Sequence, residues 1–182
     1  MDDYSGPKLI ISQLDIFPGQ DVVDLGTGAG AYAFVLAEKL LGGGNSSRVF
    51  AIDVQKNLLE KIQTEAELKG FYNLKTIWGD IEAHEGTRLR DNSIDWVFLA
   101  NTLFQAEDKN ALLREALRIV RPGGRFVLID WSSGLGQGAI GPSSVQVIPE
   151  NEAKTMCENV GFEFIKTLSA GEHHYCLVFK KN

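Results

Sequence analysis

The sequence predicts an α/β fold, a mainly parallel sheet covered by helices on both faces. Three observations carry this. Short apolar, β-branched or aromatic runs of strand length recur along the chain. Between them lie segments whose apolar residues stand three and four apart, the spacing of a helix face. The last two strand-like runs are joined by so few residues that they must be antiparallel, whereas the earlier ones, each separated by a helix, are free to run parallel.

In chain order, Ser5 to Phe17 reads as an N-terminal helix with Leu9, Ile10, Leu14 and Phe17 apolar, so residues 1–19 form a cover that Tyr4 joins. Pro18-Gly19 separates it from the first strand, Asp21 to Leu25. A helix over Tyr32 to Leu41 ends at Gly42-Gly43-Gly44-Asn45. Strand Val49 to Asp53, helix Gln55 to Lys69 and strand Leu74 to Trp78 follow. Ile94 to Leu99 is the fourth strand, and Asp108 to Val120 is a helix with Leu112, Ala116 and Ile119 on one face. Pro122-Gly123-Gly124 sets that helix apart from the fifth strand, Arg125 to Asp130. Ser132 to Ser144 is too rich in glycine and serine to pack as an element, which makes 132–149 a mobile loop. A helix from Glu150 to Val160, ended by Gly161, then leads into strands Phe162 to Leu168 and Tyr175 to Lys180, linked through Ala170-Gly171-Glu172.

Bulk properties bound the function. With 182 residues, 44% apolar and 23% charged, the chain has material for one ordinary core and no room for a second domain. A net charge of −6 argues against a broad nucleic-acid footprint, which is built from clustered Lys and Arg. Arg114, Arg118, Arg121 and Arg125 read as a solvated helix face and its end, and His84 as a surface residue. Neither a signal peptide nor an apolar run long enough to span a bilayer is visible, so the expectation is a cytoplasmic protein with no membrane contact. Cys157 and Cys176 are far apart and form no Cys/His cluster, so they read as core thiols and no metal site is expected.

The chemistry concentrates in Asp24-Leu25-Gly26-Thr27-Gly28-Ala29-Gly30-Ala31, where a strand turns into a helix. Glycines let the backbone approach a ligand, and the helix N-terminus offers N–H groups to an anion. A nucleotide-like ligand is implied, although Gly26, Gly28 and Ala31 also fit a dinucleotide fingerprint. A carboxylate at Asp24, two residues before the first glycine, is expected at the mouth of the site, where it suits a cationic ligand better than a pyrophosphate. Asp53 closes the second strand, with Val54 next to it, and can accept both hydroxyl hydrogens of a ribose or cap the helix that follows. Gly79-Asp80-Ile81 after the third strand places a small residue and a carboxylate beside a base, or forms a simple turn.

These residues together carry a resemblance. The chain resembles the class I S-adenosylmethionine-dependent methyltransferases through Asp24-x-Gly26-x-Gly28-x-Gly30, Asp53, Gly79-Asp80-Ile81, Asp91-x-x-Ile94-Asp95 and Arg121-Pro122-Gly123-Gly124, over residues 7 to 131. The resemblance implies a Rossmann-like, doubly wound seven-stranded sheet in the order 3-2-1-4-5-7-6 with strand 7 antiparallel. It implies S-adenosylmethionine as cofactor, S-adenosylhomocysteine as product, and Asp24, Gly26, Thr27, Gly28, Gly30, Asp53, Val54, Gly79, Asp80, Ile81 and Asn101 as the residues that bind them. Within the family the chain is similar to the small-molecule branch, including quinone-biosynthesis-like enzymes, as a monomer or homodimer.

The acceptor is then expected beyond strands four and five, over Ala100 to Gln105 and Asp130 to Ser132, with Phe104, Asp130 and Trp131 as its pocket and Asn101 orienting it. The absence of Asn-Pro-Pro-Tyr at Asn101 argues against methylation of adenine or glutamine nitrogens. His173 and His174, which should start near Asp130 and Trp131, are candidate bases, only one of which can face the site because successive strand residues alternate. The N-terminal helix is expected to cover the cofactor, as in the family. Two other readings are a nicotinamide dehydrogenase, for which no Tyr-x-x-x-Lys pair follows the fourth strand, and a cofactor-binding protein with weak turnover that works with a partner or on a protein or RNA.

Overall fold

The computed structural model describes residues 6–43, 47–132 and 147–182. Its strands are β1 (Val22–Leu25), β2 (Val49–Asp53), β3 (Leu74–Trp78), β4 (Ile94–Ala100), β5 (Val120–Trp131), β6 (Phe162–Leu168) and β7 (His174–Lys181). Its helices are α1 (Pro7–Ser12), α2 (Ala31–Leu40), α3 (Lys56–Leu68), α4 (Lys109–Ile119) and α5 (Glu150–Val160). The strands form one sheet in the order β3-β2-β1-β4-β5-β7-β6. The first five run parallel, and β7 pairs antiparallel with both β5 and β6, as the short link between the last two strands requires.

β1 is apolar throughout except at Asp24 because it lies between β2 and β4 with helices over both faces, and all four of its residues are buried. Alternation divides the strands between two cores. Val23, Val97, Phe126, Leu128 and Leu177 pack with α4 and α5, while Val22, Phe98, Val127, Ile129 and Cys176 pack with α1, α2 and α3. Strand order reverses between β2-β1 and β4-β5, so a crevice opens at the carboxyl ends of these strands.

Three expectations change. The N-terminal helix spans only Pro7–Ser12, after which Leu14 and Ile16 bury themselves from non-helical backbone and Phe17 is left 60% exposed. Gln13 fastens this end to Ser169, donating from Nε2 to its carbonyl at 2.9 Å and accepting from its N–H at 3.3 Å, so α1 is docked beside α2 and the turn after β6. β5 begins at Val120 rather than Arg125, because Val120 pairs with Ile94 and the Pro122–Gly124 stretch is absorbed where the register shifts. The Arg118 side chain is not a solvated charge. It is 12% exposed, donates to Glu115, Thr87, Asp91 and the Leu89 carbonyl, and so bolts α4 to the segment between β3 and β4. The Gly/Ser-rich stretch over 133–146, Tyr4 and Gly44-Asn45 lie outside the described residues.

The Glu115–Arg118 pair gives a first prediction. Glu115 is 3% exposed, and removing its cation leaves a buried charge without its counter-ion. Arg118→Met is therefore expected to destabilise the chain by about 3–5 kcal/mol, read as a lower urea midpoint. Burial disfavours the Glu115 charge, but hydrogen bonds from Arg118 and Thr87 prevail and hold its carboxyl down at about 2. With the folded value below the unfolded one, this contribution is present above about pH 4.3 and is lost as pH falls towards 2, a decline that Glu115→Gln should blunt.

Candidate functional site

The carboxyl ends of β1, β2 and β3 enclose a cavity of about 290 Å3 with the segments that leave β3 and β4. This is near the lower end of the range for small-molecule clefts. Gly26 and Gly28 line it from the turn after β1, Asp53, Val54 and Gln55 from β2, and Gly79 to Glu82 from the segment after β3. Thr102, Gln105 and Ala106 close it from the segment after β4. A hollow of about 440 Å3 between α3 and β3 is larger, but it is rimmed by the exposed Lys56, Glu60 and Glu67 and holds no buried charge.

The turn at Gly26–Gly30 needs its glycines. Gly26, Gly28 and Gly30 have φ of 66°, 55° and 83°, a left-handed backbone that residues with a Cβ rarely adopt. At Gly26 a Cβ would also sit 2.7 Å from Thr102 Oγ1, so the bare backbone lets the β4 segment close directly on the turn. Thr27 N–H donates to the Ile52 carbonyl at 3.0 Å and Gly28 N–H to Asp53 Oδ2 at 2.9 Å, which ties the turn to β2. Asp53 Oδ1 accepts from the N–H of Gln55 at 2.9 Å, the residue before α3, so one carboxylate lines the cavity and fastens the turn that leads into that helix. Asp80 is exposed on the cavity wall and accepts from the Glu82 N–H at 2.9 Å.

Asp24 departs from expectation. It is not at the mouth but 2% exposed, because it lies mid-sheet and its side chain turns under α2. There it accepts from the Thr27 hydroxyl at 2.6 Å and from the Ala33 backbone N–H, serving the helix N-terminus from beneath. Burial pushes its carboxyl up to about 7 against these two hydrogen bonds, and the nearby Asp53 adds to the rise. Thr27 and Gly30 likewise shape the turn and do not line the cavity.

The expected acceptor pocket is divided by the sheet. Asp130 is 1% exposed and accepts from the N–H groups of Phe104 at 3.1 Å and Trp131 at 2.8 Å, clamping the segment after β4, with Phe104 half-buried on the α4 side. Burial raises its carboxyl to about 6 despite those bonds. Trp131 neighbours Asp130 on the strand and therefore faces the other way, where its ring lies 4.3 Å from that of His174, its partner across β5 and β7. Among the described residues His174 Nε2 is buried without a hydrogen-bond partner, and burial together with the adjacent His173 lowers its basicity, so the imidazole is neutral at pH 7. His173 is exposed, and its carbonyl accepts from the Ser132 N–H at 3.0 Å. Asn101, at φ 53°, follows β4, and its Oδ1 is buried and has no partner among the described residues. His84 is exposed, and among the described residues no three His, Cys, Asp or Glu side chains converge as a metal site.

Comparison with known proteins decides the family. A family model described as "Methyltransferase domain" matches residues 16–174. The chain belongs to the methyltransferase domain family. Among its relatives is the ubiquinone/menaquinone biosynthesis C-methyltransferase UbiE of Rickettsia felis, 26% identical over 181 residues, covering 82% of this chain and 72% of that one. An arsenite methyltransferase of Aquipseudomonas alcaligenes is 32% identical over 131 residues, covering 70% of this chain and 36% of that one. The chain thus spans most of the first relative's length but little over a third of the second's. In fold, a SAM-dependent methyltransferase from Aquifex aeolicus superimposes with a TM-score of 0.83 at 24% identity, over 95% of this chain and 88% of that one. The sheet order and antiparallel seventh strand implied by the family resemblance are those observed.

Within this family member, the sequence-predicted residues Gly26, Gly28, Asp53, Val54, Gly79, Asp80 and Ile81 share one cavity. Trp131 and His174 instead meet at the paired ends of β5 and β7, and Asn101 follows β4 outside the lining of this cavity. Gln55, Glu82 and Ala106 were not singled out by sequence. Gln55 and Glu82 follow the two acidic strand ends by two residues, and each N–H is held by that acid's carboxylate, the one local signal for them. Thr102 and Gln105, expected over the acceptor, instead wall the glycine-turn cavity. α1 does not reach that cavity, because its apolar face is used against α2. Among the described residues no helix is long and apolar enough to cross a membrane.

Proposed function

We propose that this chain transfers the methyl group of S-adenosylmethionine to a small organic acceptor by in-line displacement. The Asp53 carboxylate carries the reading. It is 7% exposed and lines the cavity, and each oxygen accepts one backbone N–H, which leaves lone pairs for the two hydroxyls of a ribose. Gly79 to Ile81 stand beside it for the adenine, with Asp80 as acceptor for the exocyclic amine, and the Gly26–Gly30 turn takes the amino-acid end. The buried, unpartnered Asn101 Oδ1 supports a polar ligand group at the end of β4. The residues present fit S-adenosylmethionine and its product S-adenosylhomocysteine, with Asp24, once ionised above about pH 7, supplying a negative field behind the turn that favours a cation.

When bound, the cofactor supplies a methyl carbon already activated by its sulfonium. The chain's work is to align the nucleophile and exclude water. Thr102, packed on Gly26, and Gln105, whose Nε2 donates to the Asn101 carbonyl at 2.9 Å, hold the β4 segment over the cavity. Trp131 offers an aromatic face to the acceptor, and the neutral His174 takes a proton where the acceptor carries one.

The relatives' names support a small-molecule acceptor: a quinone-biosynthesis C-methyltransferase, a demethylmenaquinone methyltransferase and arsenite methyltransferases. The thiols favour the organic class, since trivalent arsenic is soft and seeks converging thiolates. Cys157 and Cys176 pack in opposite cores, and burial pushes both thiols up. Incubation with methyl-labelled S-adenosylmethionine and parallel panels of quinols, phenols and arsenite tests this. Label in an organic product and none in arsenic is expected. Methylated arsenic would overturn the acceptor class.

A further inference from the structure

We infer that Glu115, on α4 and outside the cavity, is a positioning residue that fixes the adenine side of the cofactor site. The inference rests on the cofactor reading above and deepens it. Glu115 Oε1 accepts from the Thr87 N–H at 3.0 Å and its hydroxyl at 2.6 Å, while Oε2 accepts from the Glu85 N–H at 3.1 Å. One carboxylate therefore holds the amides on either side of Gly86. Arg118 donates to each oxygen at 2.8 Å, so the carboxylate is itself held in place.

Gly86 passes that constraint on through backbone alone. A Cβ at Gly86 would lie 1.8 Å from the Asp80 carbonyl oxygen, and a Cβ at Gly79 would lie 2.3 Å from the Gly86 carbonyl oxygen. The two strands of this loop thus press together with no side chain between them to absorb a shift. Gly79 and Asp80 line the cavity on their other side. A second tie runs the same way: Glu82, also on the cavity wall, accepts from the N–H of Asp108 at 2.6 Å, the residue that caps α4. The helix that looks like mere sheet cover is the frame against which the adenine wall is set. Hydrogen bonds from Arg118 and Thr87 hold the Glu115 carboxyl at about 2 against its burial, so it stays ionised as their acceptor at neutral pH.

The test compares two ligands by calorimetry, S-adenosylhomocysteine and S-inosylhomocysteine, which lacks the exocyclic amine. In the unsubstituted chain the first should bind more tightly, because an acceptor placed for an N–H is left unpaired by the second. Glu115→Gln is expected to weaken S-adenosylhomocysteine about tenfold and S-inosylhomocysteine less than about twofold, so that the preference collapses. Thr87→Val, a milder change, shifts the preference in the same direction and decides the matter if Glu115→Gln does not fold. Val127→Ala, a deletion in the opposite core, should lower Tm and leave the preference unchanged, which a purely structural role for Glu115 would also do. An unchanged preference in the Glu115 and Thr87 variants, with tight binding to the unsubstituted chain, overturns this inference alone. Failure of the unsubstituted chain to bind S-adenosylhomocysteine overturns it together with the cofactor reading.

Discussion

Asp53→Ala is expected to weaken S-adenosylhomocysteine binding by more than about a hundredfold while the chain stays folded. Hydrogen bonds to a charged acceptor contribute about 1.5–3 kcal/mol each, and a tenfold change in affinity corresponds to about 1.4 kcal/mol. The proposed site asks Asp53 for two such bonds to the ribose. The substitution also frees the Gly28 N–H, now held at 2.9 Å, so the glycine turn loses its tie to β2 at the same time. Asp53→Asn keeps one acceptor and the side-chain volume and should fall between, at about tenfold. Calorimetric titration of the three proteins checks the order. A loss of less than about threefold in the alanine variant would mean that Asp53 serves only to start α3.

Asp24→Asn should stabilise the cofactor-free chain at pH 8 and leave it unchanged near pH 3.5. Burial raises the folded-state value of Asp24 to about 7, far above the roughly 3.9 of an unfolded chain, so folding disfavours the ionised form. Stability is then complete below about pH 3.9 and declines as pH rises towards 7, because the unfolded chain releases this proton first. Removing the charge is expected to return about 1–3 kcal/mol at pH 8, less than the full shift because an amide brings donors of its own into a buried site. The same variant should bind S-adenosylmethionine about tenfold more weakly at pH 8, since the field that favours a cation is gone. Thermal melts at the two pH values and one titration check both halves. Equal stability at pH 8 would show that the carboxylate is solvated there or compensated by a group outside α2 and the turn.

The fold was legible because its signals are local. Val49 to Asp53 and Glu150 to Val160 have the predicted bounds, and β6 does as well, since each run is framed by turn residues. β5 was misread at its start because Pro122-Gly123-Gly124 marks a loop in sequence, while Val120 finds a partner in Ile94 that only tertiary pairing reveals. That the glycine turn, Asp53 and Gly79 to Ile81 meet at one cavity was legible because each follows or closes a strand, and the carboxyl ends of a parallel sheet converge. Asp24 was misplaced since sequence fixes its distance along the chain from Gly26 but not the face of β1 it leaves from. Asp130 and Trp131 were read as one pocket, yet adjacent strand residues must part, and the carboxylate is used on the loop while the indole meets His174. Arg118 read as part of a solvated helix face and Glu115 was not singled out; their hold on Glu85 and Thr87, some thirty residues earlier, leaves no trace in local pattern.

The measurement that bears most directly on the central claim is calorimetric titration of the intact chain with S-adenosylhomocysteine, beside NADH as the rival nucleotide. Saturable binding of S-adenosylhomocysteine at one site and no heat from NADH are expected. Binding of NADH in its place, or of neither ligand, would contradict that claim.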